Sequence, residues 1–216
     1  LGAVDSRGRF INSHQIFALL LTHLVRDRGW AGAVVKTFST TQMVNILAEK
    51  YNLKLYETPI GFKHICRLML TEDILIGGEE SGGIGVKNHI PERDGILAGL
   101  LLLQIMASHG KTLEGILDDL IREVGFFAYD RRDYHFADNL EKEMVLKKLK
   151  EFNPKEMSGS KVVGTKTLDG LKFFLEDGSW ILFRASGTEP LIRVYAEAHS
   201  QEKVNQLLEE GEKIVS

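Results

Sequence analysis

Three short apolar runs, at residues 33–35, 53–56 and 74–76, alternate with segments of helical periodicity and restrict this sequence to very few architectures. The runs are too short for helices and read as buried strands. Between them, residues 40–52 place Met43, Val44, Leu47 and Ala48 on one face of a helix, and Pro59 opens another helix through Leu70. Strands alternating with helices predict an α/β domain with a doubly wound, mostly parallel sheet. In such sheets ligands bind beyond the carboxyl ends of the strands. On either side of this pattern, residues 1–11 read as a hairpin turning at Ser6-Arg7-Gly8, and Ser13 offers an N-cap for a helix to about Arg28. Residues 94–109 form a helix that is apolar nearly all round, which predicts burial, and residues 113–123 form one more.

The second half changes character. Residues 126–136 look extended and link the halves, and Asp138 caps a charged helix to about Phe152. Strands follow at 161–168, 171–176, 180–184 and 191–198, and an amphipathic helix over 201–214 closes the chain. This predicts a smaller α+β domain. The expected organisation is therefore a hairpin at 1–11 ending a preceding domain, an α/β domain at 12–130 and an α+β domain at 131–216. A chain that starts at Leu1, inside a strand-like pattern, reads as a fragment of a longer protein.

Charge excludes broad classes of partner. With 27 basic and 30 acidic residues the net charge is −3, so nothing draws the chain as a whole to nucleic acid or to an anionic membrane. Its apolar runs fall short of the ~20 residues a membrane-spanning helix needs. Cys66 is the single cysteine, which forbids an internal disulfide and makes a reducing cytoplasm the simplest setting. Any anion must therefore be bound by a local cluster.

Four clusters qualify. Lys36 follows the first strand directly, where an α/β sheet meets its ligand, although a lysine there is as readily a surface residue. In residues 57–65, Gly61 permits close backbone approach and Lys63 adds a cation at a helix start. Residues 77–85, GGEESGGIG, combine five glycines with Glu79, Glu80 and Ser81. Two carboxylates repel phosphate, and no Gly-Lys-Ser/Thr follows, so this loop suits the hydroxyls of a neutral polyol. The competing reading is a metal site built from Glu79, Glu80, His89 and Asp94, whose spacing fits no metal motif. In residues 184–193, RASGTEPLIR, the logic reverses. Arg184 and Arg193 can grip a phosphate bidentately, Ser186 and Thr188 donate hydroxyl hydrogen bonds, and Gly187 frees backbone N–H groups for an anion nest. A polyol site and a dianion site together describe a sugar phosphate.

At these residues the sequence resembles the α-D-phosphohexomutase family, which includes phosphoglucomutase and phosphomannomutase. GEESGG at residues 78–83 is similar to the family's sugar-recognition loop and RASGTEP at 184–190 to its phosphate-binding loop, with ETPIGFK and HIPERDG accompanying them in the expected order. The resemblance spans the chain and implies domains three and four of a four-domain enzyme that moves phosphate between C1 and C6 of a hexose. It implies a phosphoserine nucleophile and a Mg²⁺ loop in the missing N-terminal domains, a hexose 1,6-bisphosphate intermediate and a hexose phosphate substrate. On it, Glu79 and Ser81 would bond the sugar's O3 and O4, with Gly61 and Arg93 beside the ligand. Arg93 stands where relatives often place lysine. Lys36 and Lys63 would face the ligand or assist proton transfer, while Arg184, Ser186, Gly187, Thr188 and Arg193 would hold the phosphate. Phe62 stands where some relatives carry histidine, which removes the basis for a histidine acid/base there. The loop lacks the Gln of glucosamine-type GEQSGH loops, pointing to glucose or mannose phosphates. The alternative is a non-catalytic sugar-phosphate binding module.

Overall fold

Burial of the three apolar runs between helices organises the first part of the computed structural model, which describes residues 1–216. The elements run β1 (Ala3–Val4), β2 (Phe10–Ile11), α1 (Ser13–Arg26), β3 (Ala33–Thr37), α2 (Met43–Lys50), β4 (Leu55–Thr58), α3 (Phe62–Thr71), β5 (Ile74–Gly78), β6 (Ile84–Val86), α4 (Gly95–His109) and α5 (Leu113–Val124). β1 and β2 pair as a hairpin. The larger sheet has the order β4-β3-β5-β6, with β3 parallel to both β4 and β5 and with β6 antiparallel to β5. The chain steps outward from β3 to β4, then crosses back to β5 on the other side, so the expected doubly wound, mostly parallel sheet is present.

Two glycines at the end of β5 bring helices close on both faces. A Cβ at Gly77 would lie 2.3 Å from Ile65 Cγ2 of α3, and one at Gly78 would lie 2.7 Å from Phe17 Cδ1 of α1. Successive strand residues face opposite sides, so the pair serves one helix on each face. Phe17, Leu20, Leu21 and Leu24 of α1 are fully buried with Val34, Val35, Leu75 and Ile76.

Several boundaries differ from the sequence reading, each for a local reason. Asn12, not Ser13, caps α1: its side chain accepts from Gln15 N–H while the Gln15 side chain accepts from Asn12 N–H. α2 begins at Met43 rather than Thr40, because the carbonyls of Thr40 and Thr41 accept from Lys36. α3 begins at Phe62, since the Pro59–Gly61 connection is spent on a turn in which Gly61 sits at φ 126°. β6, only three residues long, lay unrecognised inside the glycine-rich stretch. α4 is not buried all round: Ala98, Leu101, Leu102 and Ile105 face inward, while Ile96, Leu100 and Leu103 are exposed. Cys66 is half-buried beside the cluster of Val35, Phe62 and Ile65.

The second unit comprises β7 (Ala128–His135), α6 (Asn139–Glu151), β8 (Glu156–Met157), β9 (Ser160–Lys166), β10 (Leu171–Leu175), β11 (Trp180–Ala185), β12 (Leu191–Ala198) and α7 (Gln201–Val215). Its sheet is antiparallel throughout, in the order β7-β12-β11-β10-β9-β8. Residues 126–136, expected to be a link, supply an edge strand paired with β12 along its whole length. The chain accordingly divides between Gly125 and Phe126 instead of at 130/131, with the β1–β2 hairpin in the first unit. One sheet face, carrying Phe173, Ile181, Phe183, Ile192, Val194 and Ala196, packs under Val145 and Leu149 of α6 and Val204, Leu207 and Leu208 of α7. Helices gathered on one face of an antiparallel sheet make this unit α+β.

At the β10–β11 turn, Asp177 accepts from the Ser179 hydroxyl (2.5 Å), from the Ser179 N–H (3.0 Å) and, 3.0 Å away, faces Lys203 at the start of α7. Partial burial alone would raise its pKa, but these donors outweigh it and hold it at about 2, against an ordinary 3.8. A lowered folded-state pKa stabilises the fold above the unfolded value and ceases to do so as pH falls through the folded one. Asp177 therefore contributes fully above pH 4 and loses its contribution between about 4 and 2. In urea titrations followed by circular dichroism, Asp177→Asn should show a shallower loss of stability than the parent across that window. Identical slopes would refute the assignment.

Candidate functional site

The parallel register sets three loops at one end of the first sheet. Lys36 of β3 is level with Glu57 of β4 and with Gly78 of β5. Glu79 follows β5 immediately and starts a tight turn, with Gly82 N–H donating to Glu79 O and Glu79 N–H to Gly83 O, both at 3.0 Å. The Ser13 hydroxyl donates to Glu80 O (2.5 Å) and fixes the turn to the start of α1. Gly61, in its left-handed conformation, turns its N–H toward the Glu79 carboxylate. Arg93 Nη1 lies 3.4 Å from Glu79 Oε2, with its guanidinium 5.7 Å above the Phe62 ring.

Glu79, Gly61 and Arg93 are thus brought together. Lys63 is exposed in the first turn of α3, two residues beyond Gly61, and Ser81 is exposed at the tip of the turn. Lys36 departs from its expected place. It is fully buried, donating to Thr40 O and Thr41 O at 3.1 Å each, with Glu57 Oε1 at 3.9 Å. Two carbonyls and a carboxylate satisfy the ammonium away from solvent, so in this conformation it secures the β3–α2 connection instead of offering a charge to a ligand.

Glu79 is only 5% exposed. Burial pushes its carboxyl above the usual 4.5, with the neighbouring Glu80 adding to the rise, while Arg93 and the Gly61 N–H oppose it. The metal reading of this loop finds no support in the geometry. His89 Nε2 lies 2.8 Å from Asp94 Oδ2, while Asp94 Oδ1 accepts from the N–H groups of Ile96 and Leu97 and so caps α4. No group of three or more His, Cys, Asp or Glu side chains is placed to hold a metal ion.

The second loop joins β11 to β12. Arg184 and Arg193 are direct cross-strand partners. Like charges set opposite each other destabilise a sheet, so this pairing needs anions nearby. Carboxylates supply them: Arg184 Nε donates to Asp169 Oδ2 (3.1 Å), and Arg193 faces Asp133 Oδ2 (3.4 Å) and Glu189 Oε2 (3.5 Å). Between the arginines, Ser186 N–H donates to Leu191 O (2.9 Å), and the Thr188 and Glu189 N–H groups converge on the Ser186 hydroxyl at 3.4 and 3.3 Å. The Ser186 and Thr188 hydroxyls are 3.5 Å apart. Gly187 N–H makes no hydrogen bond within the protein. Arg184, Ser186, Gly187, Thr188 and Arg193 therefore form one cluster of donors.

Two family models match the chain. Residues 12–124 match phosphoglucomutase/phosphomannomutase alpha/beta/alpha domain III, and residues 139–213 match the phosphoglucomutase/phosphomannomutase C-terminal domain. The chain belongs to the phosphoglucomutase/phosphomannomutase family. It is 32% identical over 212 residues to a phosphoglucomutase/phosphomannomutase of Thermococcus kodakarensis, with 98% of this chain and 44% of the relative covered. It is 30% identical over 216 residues to a phosphoglucosamine mutase of Methanocaldococcus jannaschii, covering 99% and 45%. Among solved structures, a protein from Thermus thermophilus provisionally assigned as a phosphomannomutase superposes with a TM-score of 0.82 at 39% identity, covering 99% of this chain and 43% of that one. The phosphoglucomutase parafusin of Paramecium superposes at 0.79 with 29% identity, covering 97% and 42%. The chain thus spans less than half the length of these phosphohexomutase relatives.

Some residues of this family member's loops were invisible to sequence reasoning. Asp169, Asp133 and Lys142, which donates to the carbonyls of Ser186 and Glu189, are carried by other elements, and only strand register and helix docking bring them to the β11–β12 loop and its flanking arginines.

A carboxyl whose folded-state pKa is raised binds its proton more readily in the native state. Native stability is then greatest below 4.5 and declines as pH rises from there. Glu79→Gln removes that decline. The variant should melt at a higher temperature than the parent at pH 7 in calorimetry. A lower melting temperature at pH 7 would show that the charged carboxylate supports the fold.

Proposed function

We propose that this chain is the substrate-binding part of a phosphohexomutase acting on glucose or mannose phosphates. The first unit recognises sugar hydroxyls through Glu79 and Ser81, with Gly61, Arg93 and Lys63 around them. The second unit holds the phosphoryl group through Arg184, Ser186, Gly187, Thr188 and Arg193. The phosphoserine and the Mg²⁺ site are assigned to domains outside this chain, and a hexose 1,6-bisphosphate intermediate turns over so that either end of the sugar faces the phosphoserine. The observation that carries the reading is the cross-strand pair of Arg184 and Arg193, which sets two guanidiniums at the base of the loop that holds the Ser186 and Thr188 hydroxyls and the unbonded Gly187 N–H.

Relatives near 30% identity carry both phosphoglucomutase/phosphomannomutase and phosphoglucosamine mutase names. GEESGG, without the Gln of the glucosamine-type loop, favours the former. A loop that addresses O3 and O4 does not separate glucose from mannose, which differ at C2, so both are accepted.

Calorimetric titration of the 216-residue chain with glucose 6-phosphate tests the reading. Binding should be measurable, and Arg184→Ala should weaken it by about 2 kcal/mol, close to thirtyfold, the lower range for stripping one partner from a desolvated charge pair. The chain alone should not turn over glucose 1-phosphate. Tighter binding of glucosamine 6-phosphate than of glucose 6-phosphate would overturn the sugar assignment, and equal binding by the Arg184→Ala variant would overturn the anion site.

A further inference from the structure

We propose that Lys142, on α6, is a positioning residue that sets the peptide orientations of the phosphate loop and gives it its uncompensated positive charge. The inference rests on the anion-site reading and extends it to a residue outside the RASGTEP segment. Lys142 Nζ donates to the carbonyls of Ser186 (3.3 Å) and Glu189 (3.2 Å), 44 and 47 residues away in sequence. These carbonyls bracket the loop. In a trans peptide the C=O and the following N–H point in opposite directions. Drawing Ser186 O toward α6 therefore turns the Gly187 N–H outward, and that N–H is the one in the loop with no partner inside the protein. The peptide after Glu189 leads into Pro190 and has no N–H, so its carbonyl is its only polar group. The Glu189 carbonyl is also held by Leu191 N–H (2.8 Å), so the Ser186 carbonyl is the one that, without Lys142, is free to swing toward the anion and repel it.

Charge gives the second argument. Arg184 is paired with Asp169, and Arg193 with Asp133 and Glu189, so the loop's own cations are already balanced. Lys142 is bonded only to neutral carbonyls. It is the one cation of the three without a carboxylate partner, and its charge adds to the positive field of the loop from behind the Ser186–Gly187 peptide.

The helix is built to hold this lysine still. Asp138 accepts from Glu141 N–H (3.0 Å) and Glu141 accepts from Ala137 N–H (2.9 Å), which fixes the first turn of α6 just ahead of Lys142. Val145 and Leu149 then bury the same helix in the core of the second unit. The loop is anchored independently by the β11–β12 ladder, so the carbonyls and the ammonium approach from two rigid elements.

The test is titration of the chain with inorganic phosphate, followed by ³¹P NMR, for the parent, Lys142→Met, Lys142→Arg and Arg184→Ala. Inorganic phosphate engages the loop without the sugar site. Lys142→Met should bind about tenfold more weakly, in the range of a lost charge-assisted contact. It should also lose most of the gain in affinity that the parent shows as inorganic phosphate passes from monoanion to dianion near neutral pH. Lys142→Arg should recover most of both, and melting temperatures should agree to within about 2 °C. If Arg184→Ala abolishes binding while Lys142→Met stays within twofold of the parent, the role given to Lys142 is wrong and the anion site stands. If Lys142→Met weakens binding but keeps the parent's dependence on phosphate charge, or Lys142→Arg fails to rescue, the lysine is merely structural and the inference fails. Absence of phosphate binding by the parent brings down the anion site, and this inference with it.

Discussion

Everything at the ligand end of the first unit depends on the register that puts Lys36 level with Glu57 on one side and Gly78 on the other. A parallel strand has no freedom to slide once both neighbours are paired. The loops after β3, β4 and β5 therefore start from fixed heights. Lys36 then removes the remaining slack in the first of them by binding two successive carbonyls. Gly61 and Glu79 meet because the loops after β4 and β5 begin at the same level, although β3 lies between those strands.

The second unit solves a different electrostatic problem. Desolvating a carboxylate, as the first unit does with Glu79, suits a neutral ligand, whose hydroxyls replace lost water hydrogen bonds one for one. Gathering arginines suits a dianion, but they repel one another until it arrives. Asp169, Asp133 and Glu189 lie against the two guanidiniums and offset their mutual repulsion. Ordering costs less on binding when it is already done, while an incoming phosphate must compete with the carboxylates already there.

Much of this was legible in the primary structure because it is carried by local chemistry. The α/β to α+β succession follows from periodicity, and the two loops follow from composition: glycine with carboxylates in one, arginines with hydroxyls in the other. What could not be read depends on distance in sequence. The burial of Lys36 is decided by carbonyls four and five residues on, in a segment whose helical periodicity had claimed them for α2. β6 is too short to display a period, and its pairing with β5 exists only because a tight turn brings it back. α4 gave a strong apolar signal that says nothing of which faces are covered, hence its exposed Ile96, Leu100 and Leu103. Asp133 reaches Arg193 through a strand that resembled a linker.

The turn from Glu79 to Gly83 is spliced into the sheet at both ends, through the Gly78–Ile84 pair. Adding or deleting one residue there would break that pair or send every later side chain of β6 to the opposite face. The sheet therefore fixes the length of this turn, while an exchange of side chain at the exposed Ser81 leaves the pairing on either side intact.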